Sequence, residues 1–219
     1  KLIRSRQVYV DGRLAEADNL NVETSLQKIT VSGKQVKQSS EKYFLLNKPA
    51  GVVSAVSDKE HQTVIDLIKE ADRVPQLYPV GRLDRSTEGL LLITNNGPLG
   101  YRMLHPKYHV AKTYYVEVNA FLADDAPAFF ENGVSFDDGT ICKSAKLELI
   151  TASTEKSSAY VTISEGKFHQ IKKMFLAYGV KVTYLKRLTF GEFQLGDLPS
   201  GQYRELTSTE KEILKNYLD

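Results

Sequence analysis

The run Gly89-Leu-Leu-Leu-Ile-Thr94 sets four consecutive large apolar residues between a glycine and a threonine, and Asn95-Asn96-Gly97 stops it. So short an apolar run, bounded by turn formers, predicts a strand buried within a sheet. The signals around it mix strand and helix without regular alternation. Tyr43–Asn47 reads as a strand, Lys48-Pro-Ala-Gly51 as a turn and Val52–Val56 as a second strand. Thr63 and Asp66 resemble a capping box opening a short helix that carries Val64, Ile65, Leu67 and Ile68. Val110–Val118 is a longer strand with Lys112, Tyr114 and Val116 on one face, and Ala123–Asn132 reads as helical. Leu147–Ile150 and Ala159–Ile163 pair as strands across the polar loop 152–158. In the helix His169–Tyr178, Ile171, Met174, Phe175 and Tyr178 form an apolar stripe ended by Gly179, with His169, Lys172 and Lys173 on another side. A strand over Tyr184–Phe193 and a helix capped by Thr207 and Glu210 complete the chain. This order favours an α+β fold with a mainly antiparallel sheet and flanking helices over a doubly wound one.

The first 36 residues form a smaller unit. A basic helical end (Lys1, Arg4, Arg6) precedes the strand Gln7–Val10, the hairpin signal Asp11-Gly12, and Lys28–Val31 with Ser32-Gly33. Polar residues from Lys34 to Lys42 read as a connection, giving a first unit at 1–36, a linker at 37–42 and a larger unit at 43–219. Lys1 stands where a Met would begin a chain, and Lys1–Arg6 reads as the tail of an element already under way, so a truncated first unit is expected.

With 219 residues, 42% hydrophobic and 26% charged, the composition is that of an ordered globular chain. No apolar run approaches the roughly 18 residues of a membrane span, so no membrane partner is expected. A single cysteine, Cys142, excludes an internal disulfide and fits a reducing cytoplasm. Its acidic neighbours oppose thiol reactivity, leaving it a packed residue. His105 and His109 are four apart, but Pro106 breaks the helix that would align them, so no metal site is expected. There is no G-x-G-x-x-G, and Gly33-Lys34 and Gly166-Lys167 lack the Ser or Thr of a phosphate loop, so no nucleotide cofactor is expected.

The net charge of +2 hides a polarity. Ser164–Phe190 holds six basic residues and one acid, whereas Glu117–Cys142 holds six acids and no Lys or Arg. If the fold separates the two stretches, one face is a site for a polyanion; otherwise they are two solvated surfaces.

Chemistry concentrates in Val80-Gly-Arg-Leu-Asp-Arg-Ser-Thr-Glu-Gly89, where Asp84 lies between Arg82 and Arg85 in a glycine-bounded loop feeding the buried strand. A loop held by a rigid strand is a good place for a reacting group. Flanking arginines favour the charged carboxylate, which suits a nucleophile or base. On spacing alone, a structural salt bridge beside a turn is the simpler reading.

Gly81-Arg-Leu-Asp-Arg85 with Thr87-Glu-Gly-Leu-Leu-Leu-Ile-Thr94 resembles the catalytic motif of the RsuA-like pseudouridine synthases. The resemblance continues in Tyr43-Phe-Leu-Leu-Asn-Lys-Pro-Ala-Gly51, in Lys112-Thr-Tyr114 and in Ile163-Ser-Glu-Gly-Lys-Phe-His-Gln-Ile-Lys-Lys-Met-Phe175. Four ordered motifs at family-like spacing are far more specific than any one of them. Residues 1–36 resemble the later part of the alpha-L RNA-binding module of ribosomal protein S-four. The resemblance implies a pseudouridine synthase fold behind a small α/β RNA-binding module, and conversion of a uridine in structured RNA to pseudouridine without a cofactor. It implies Asp84 as catalytic aspartate, Tyr114 as the aromatic packed on the target base, Lys172 as the aspartate's basic partner and Leu185 as a pocket wall. By analogy with related families, Arg82 would help to open the RNA and occupy the vacated space. Lys167, His169, Lys173, Lys186 and Arg187 would bind phosphates, and Lys1, Arg4 and Arg6 would extend that surface.

A lysine at 172 is closer to members acting on 16S rRNA than to 23S relatives, which tend to carry arginine there. The expected partner is thus ribosomal RNA or an assembly intermediate, bound by a monomer. A non-catalytic RNA-binding or ribosome-assembly protein is the alternative in another class. A carboxylate glycosidase would need a second acid, for which Glu88 is the nearest option.

Overall fold

A computed structural model describes residues 1–36 and 41–218. The first unit holds β1 (Val8–Val10), β2 (Arg13–Leu14), β3 (Ile29–Val31) and β4 (Lys34–Gln35), an antiparallel sheet in the order β2-β1-β3-β4. Asp11 and Gly12 have φ of 49° and 80°, and Ser32 and Gly33 have 49° and 76°. Two successive positive values are what a tight two-residue hairpin needs to follow the twist of its strands. The expected basic helical end is instead a set of turns over residues 2–6. Of the expected linker, residues 37–40 lie outside the described residues.

The larger sheet is formed by β5 (Tyr43–Lys48), β6 (Tyr78–Val80), β7 (Glu88–Thr94), β8 (Lys112–Val118), β9 (Lys146–Thr151), β10 (Ser157–Ile163), β11 (Val182–Phe190), β12 (Phe193–Gln194) and β13 (Tyr203–Glu205). Its main path runs β13-β5-β7-β11-β8-β10-β9, with β6 beside β7 and β12 beside β11. Every pairing is antiparallel except the short seam between β7 and β11, so the fold is α+β with a mixed sheet. Helices α1 (Gly97–Leu104), α2 (Ala126–Glu131), α3 (Gln170–Tyr178) and α4 (Ser208–Leu214) flank it. No helix among the described residues is long and apolar enough to cross a membrane.

The apolar run of β7 is continuous because both of its faces are covered. Leu91 and Ile93 pack with Phe44, Leu46 and the α2 and α3 side chains Phe130 and Phe175. Leu90 and Leu92 pack on the other face with Leu45, Phe193 and α4's Leu214. Alternate residues of one strand thus feed two cores.

Several expectations are corrected. Val52–Val56 is not a strand: Val53 makes one parallel bridge to Thr63, and Ser54 turns its hydroxyl to the backbone of Leu83 instead of joining a ladder. Thr63 and Asp66 do exchange their capping bonds, but only turns follow, with i to i−3 bonds that bury Val64 and Ile68. The helix expected at 123 begins at Ala126, one residue before Pro127. The last long strand stops at Phe190, where Gly191 (φ 56°) reverses the chain into β12.

Where β7 meets β11, Gly89 has φ of 106°, and a Cβ there would lie 2.1 Å from the carbonyl oxygen of Arg187. No side chain fits that seam. Gly89→Ala should destabilise the protein by roughly 3 kcal/mol or more, the sum of backbone strain and overpacking. The check is a urea unfolding curve; an unchanged midpoint would show that the strands part without penalty.

Candidate active site

The loop from Gly81 to Thr87 crosses from β6 to β7 and carries Asp84 at the edge of a cleft of about 1040 Å³. It is fastened from beneath by Lys48, the last residue of β5, which has no exposed surface. The Lys48 Nζ donates to the carbonyls of Pro49 (3.0 Å), Asp84 (3.1 Å), Arg85 (3.3 Å) and Thr87 (2.7 Å). An ammonium has three protons, so the four acceptors share them. Burial pushes the Lys48 amine down to about 8, against the opposing attraction of Glu88 and Asp84. Ser54 holds the amide and carbonyl of Leu83, and the amide of Gly51 bonds the Arg85 carbonyl at 2.8 Å. The loop's backbone is therefore fixed while its carboxylate faces the cleft.

Asp84 retains 28% of its side-chain exposure. Its Oδ2 accepts from Lys172 Nζ at 2.7 Å, and the same ammonium donates to Ser86 Oγ at 3.0 Å. The other oxygen, Oδ1, lies 3.5 Å from His169 Nε2. Arg82 and Arg85, the partners expected from the sequence, make no ion pair with it: Arg82 is exposed in the cleft wall, and Arg85 donates to His61 Nε2 at 2.6 Å. The ion-pair partner comes instead from a helix 88 residues away.

Tyr114 and Leu185, on adjacent strands β8 and β11, are buried in the cleft wall, as the period of two along each strand requires. Lys167 lines the cleft, but its ammonium is paired with Glu165. Glu165 also accepts from the Lys143 amide and from Gln170, while Gln170 Oε1 takes the amide of Lys167 at 2.8 Å. These bonds shape the loop between β10 and α3. His169 lies at the start of α3 with φ of 52°, its ring stacked on Phe168.

Arg187 is 2% exposed, donates from Nε to the Leu90 carbonyl at 2.7 Å, and leaves Nη2 buried without a partner. Beside it Lys112 donates only to the carbonyl of Val110, and both cations lie over the ring of Phe190, at 5.2 and 5.4 Å. Among the described residues neither has a carboxylate within ion-pair distance. Burial, with the Arg187 charge added, pushes the Lys112 amine down to about 8. Glu165, in the same cleft, opposes that shift from beyond ion-pair distance. The cleft floor thus holds two cations without an ion-pair partner among the described residues.

Other expected residues lie elsewhere. Lys186 follows Leu185 and so points to the opposite face of the sheet, opposite Tyr115. Lys173 sits over the Phe136 ring and 3.6 Å from Asp138, so the basic and acidic stretches touch there. Lys1, Arg4 and Arg6 are exposed on the first unit, outside the cleft. Burial, followed by Glu165, raises the Cys142 thiol, so packing contributes more to that shift than the acidic surroundings do. Sequence reasoning missed Lys48, Ser54 and Lys112. The available signal for Lys48 was a lysine on the same inward face as Phe44 and Leu46.

Residues 42–177 match the family model described as RNA pseudouridylate synthase. The chain is 40% identical to an uncharacterized RNA pseudouridine synthase, YtzG, of Bacillus subtilis, over 97% of this chain and 90% of that protein. It is 36% identical to ribosomal large subunit pseudouridine synthase B of the same organism, covering 100% and 89%. It is also 36% identical to ribosomal small subunit pseudouridine synthase A of Yersinia pestis, covering 95% and 87%. A crystal structure of a pseudouridylate synthase superposes with a TM-score of 0.73 at 31% identity, covering 97% of this chain and 90% of the other. With the pseudouridine synthase fold, a family model matching residues 42–177 and relatives matching nearly the whole chain, the chain belongs to the RNA pseudouridine synthases related to RsuA, and is an isomerase.

Proposed function

We propose that this enzyme isomerises a single uridine of ribosomal RNA, with Asp84 as the reacting carboxylate. The observation that carries the assignment is the Asp84–Lys172 pair at 2.7 Å in a cleft whose floor is cationic. In the reaction the bond from ribose C1′ to uracil N1 breaks, a bond from C1′ to C5 forms, and the proton lost from C5 is balanced by one gained at N1. Product and substrate are isomers, so no atoms or electrons are left over. Lys172 engages Oδ2 and so turns Oδ1 toward the substrate. Tyr114 and Leu185 form the wall against which the uracil lies, an aromatic face being a natural platform for an unstacked base. Arg82, exposed on the rim, is placed to enter the space that the uridine leaves. Lys112 and Arg187 take a backbone phosphate near the target. The domain reading is a small RNA-binding unit at 1–36 and a catalytic unit from 43.

Lys172 favours 16S rRNA as substrate. Large-subunit RNA is the second reading, because the large- and small-subunit relatives are equally identical to this chain. Incubation with 16S and 23S transcripts, with and without ribosomal proteins, followed by pseudouridine mapping, decides between them. A site modified by the wild type and lost in Asp84→Asn supports the enzyme and its reacting group. Asp84→Asn should lower the rate at least about 1000-fold while RNA affinity is retained. Equal modification by the variant would remove Asp84 from the chemistry.

Lys112 gives a second expectation, in which stability and function part. An apolar isostere at a buried charge that has no ion-pair partner is neutral or stabilising, so at pH 7 Lys112→Met should unfold at the same or a higher urea concentration. The unfolded chain keeps the lysine proton to about 10.5, whereas the folded chain releases it near 8. In that interval the unfolded state binds more protons, so the cost of burying the charge fades as pH rises and the variant's advantage shrinks. The same variant should bind RNA more weakly, with a salt slope smaller by about 1. Unchanged affinity and slope would take Lys112 out of the phosphate site.

A further inference from the structure

Phe168 is 70% exposed, although it lies in the wall of the same cleft as Asp84. Its ring stacks on that of His169, with centroids 3.8 Å apart and planes 21° apart. His169 in turn reaches Asp84 Oδ1 at 3.5 Å, so the stacked pair extends outward from the reacting carboxylate. The ammonium of Lys173 lies 5.9 Å from the Phe168 centroid. His169 holds this arrangement in a left-handed conformation, φ 52° and ψ 30°, at the entry to α3. Non-glycine residues adopt it at a cost, and at functional sites such strain persists where the surroundings enforce it. Glu165 and Gln170 supply that enforcement by pinning the preceding loop.

An apolar ring left in water beside cations has little to gain from the fold itself. Flat aromatic faces among positive charges are how proteins hold unstacked bases without reading their sequence. We infer that Phe168, backed by His169, is a stacking platform for the nucleotide adjoining the target uridine. The inference rests on the cleft being the RNA site and deepens that reading: it requires a substrate whose neighbouring base is also unstacked. It assigns to Phe168 a recognition role distinct from Arg82, which would fill the space inside the RNA.

The chain contains no tryptophan, so Phe168→Trp places a single reporter at the platform. Combined with Asp84→Asn to prevent turnover, it should lose fluorescence on binding a stem-loop cut from the RNA the wild type modifies, and keep it when the adjoining nucleotide is abasic. In the otherwise unaltered enzyme, Phe168→Leu keeps the apolar packing but not the flat face, and should raise KM roughly 5- to 150-fold with kcat retained, the range measured for one stacked base. Phe168→Tyr should restore the wild-type KM. A tryptophan insensitive to bound RNA, or a Leu variant with wild-type KM, would overturn the platform while leaving the enzyme assignment intact. A wild type that modifies and binds no RNA would overturn both.

Discussion

A buried ammonium organises the active-site half of this enzyme. Lys48 reaches from the end of β5 to four carbonyls, three of them in the loop that presents Asp84. A loop's backbone acceptors normally face water, because burial without partners is costly. Here one cation serves several of them at once, so the loop can lie against the core and still expose its carboxylate. The charge is kept below about pH 8, where burial has moved its titration. Asp84 is then oriented from two sides, by its backbone from β5 and by its side chain from α3.

The sheet explains how residues distant in sequence arrive together. The parallel seam of β7 and β11 is narrow because Gly89 lies against the Arg187 backbone. That closeness brings Leu185 and Arg187 of β11 beside the loop that precedes β7, and β8 follows with Tyr114 and Lys112. Antiparallel hairpins alone would have kept these motifs apart. The two cations on the cleft floor, neither with an ion-pair partner among the described residues, are consistent with a polyanionic substrate.

Much of this was legible in the sequence. The apolar run of β7, the Asp11-Gly12 hairpin, the stripe of α3 with Gly179 at its end, and the capping box of α4 are all local, and local chemistry decides them. The family resemblance implied Asp84, Tyr114, Lys172 and Leu185 as site residues, and all four line one cleft. What could not be read was long-range geometry. Arg82 and Arg85 lie close to Asp84 in sequence yet make no ion pair with it, while Val52–Val56 has a strand's composition but spends its polar groups on the loop. Lys186 and Arg187 look equivalent in sequence, and only the sheet's alternation puts one in the cleft and the other behind it. Lys48 was visible within a motif, but its four acceptors lie up to 39 residues away.

The claim that one buried cation sets the geometry of Asp84, the proposed reacting group, is tested most directly by single-turnover kinetics of Lys48→Met beside its RNA affinity. The account predicts a folded protein that binds RNA with near wild-type affinity but isomerises its target far more slowly, because the carboxylate is no longer held in place. A variant that turns over bound RNA at the wild-type rate would contradict it.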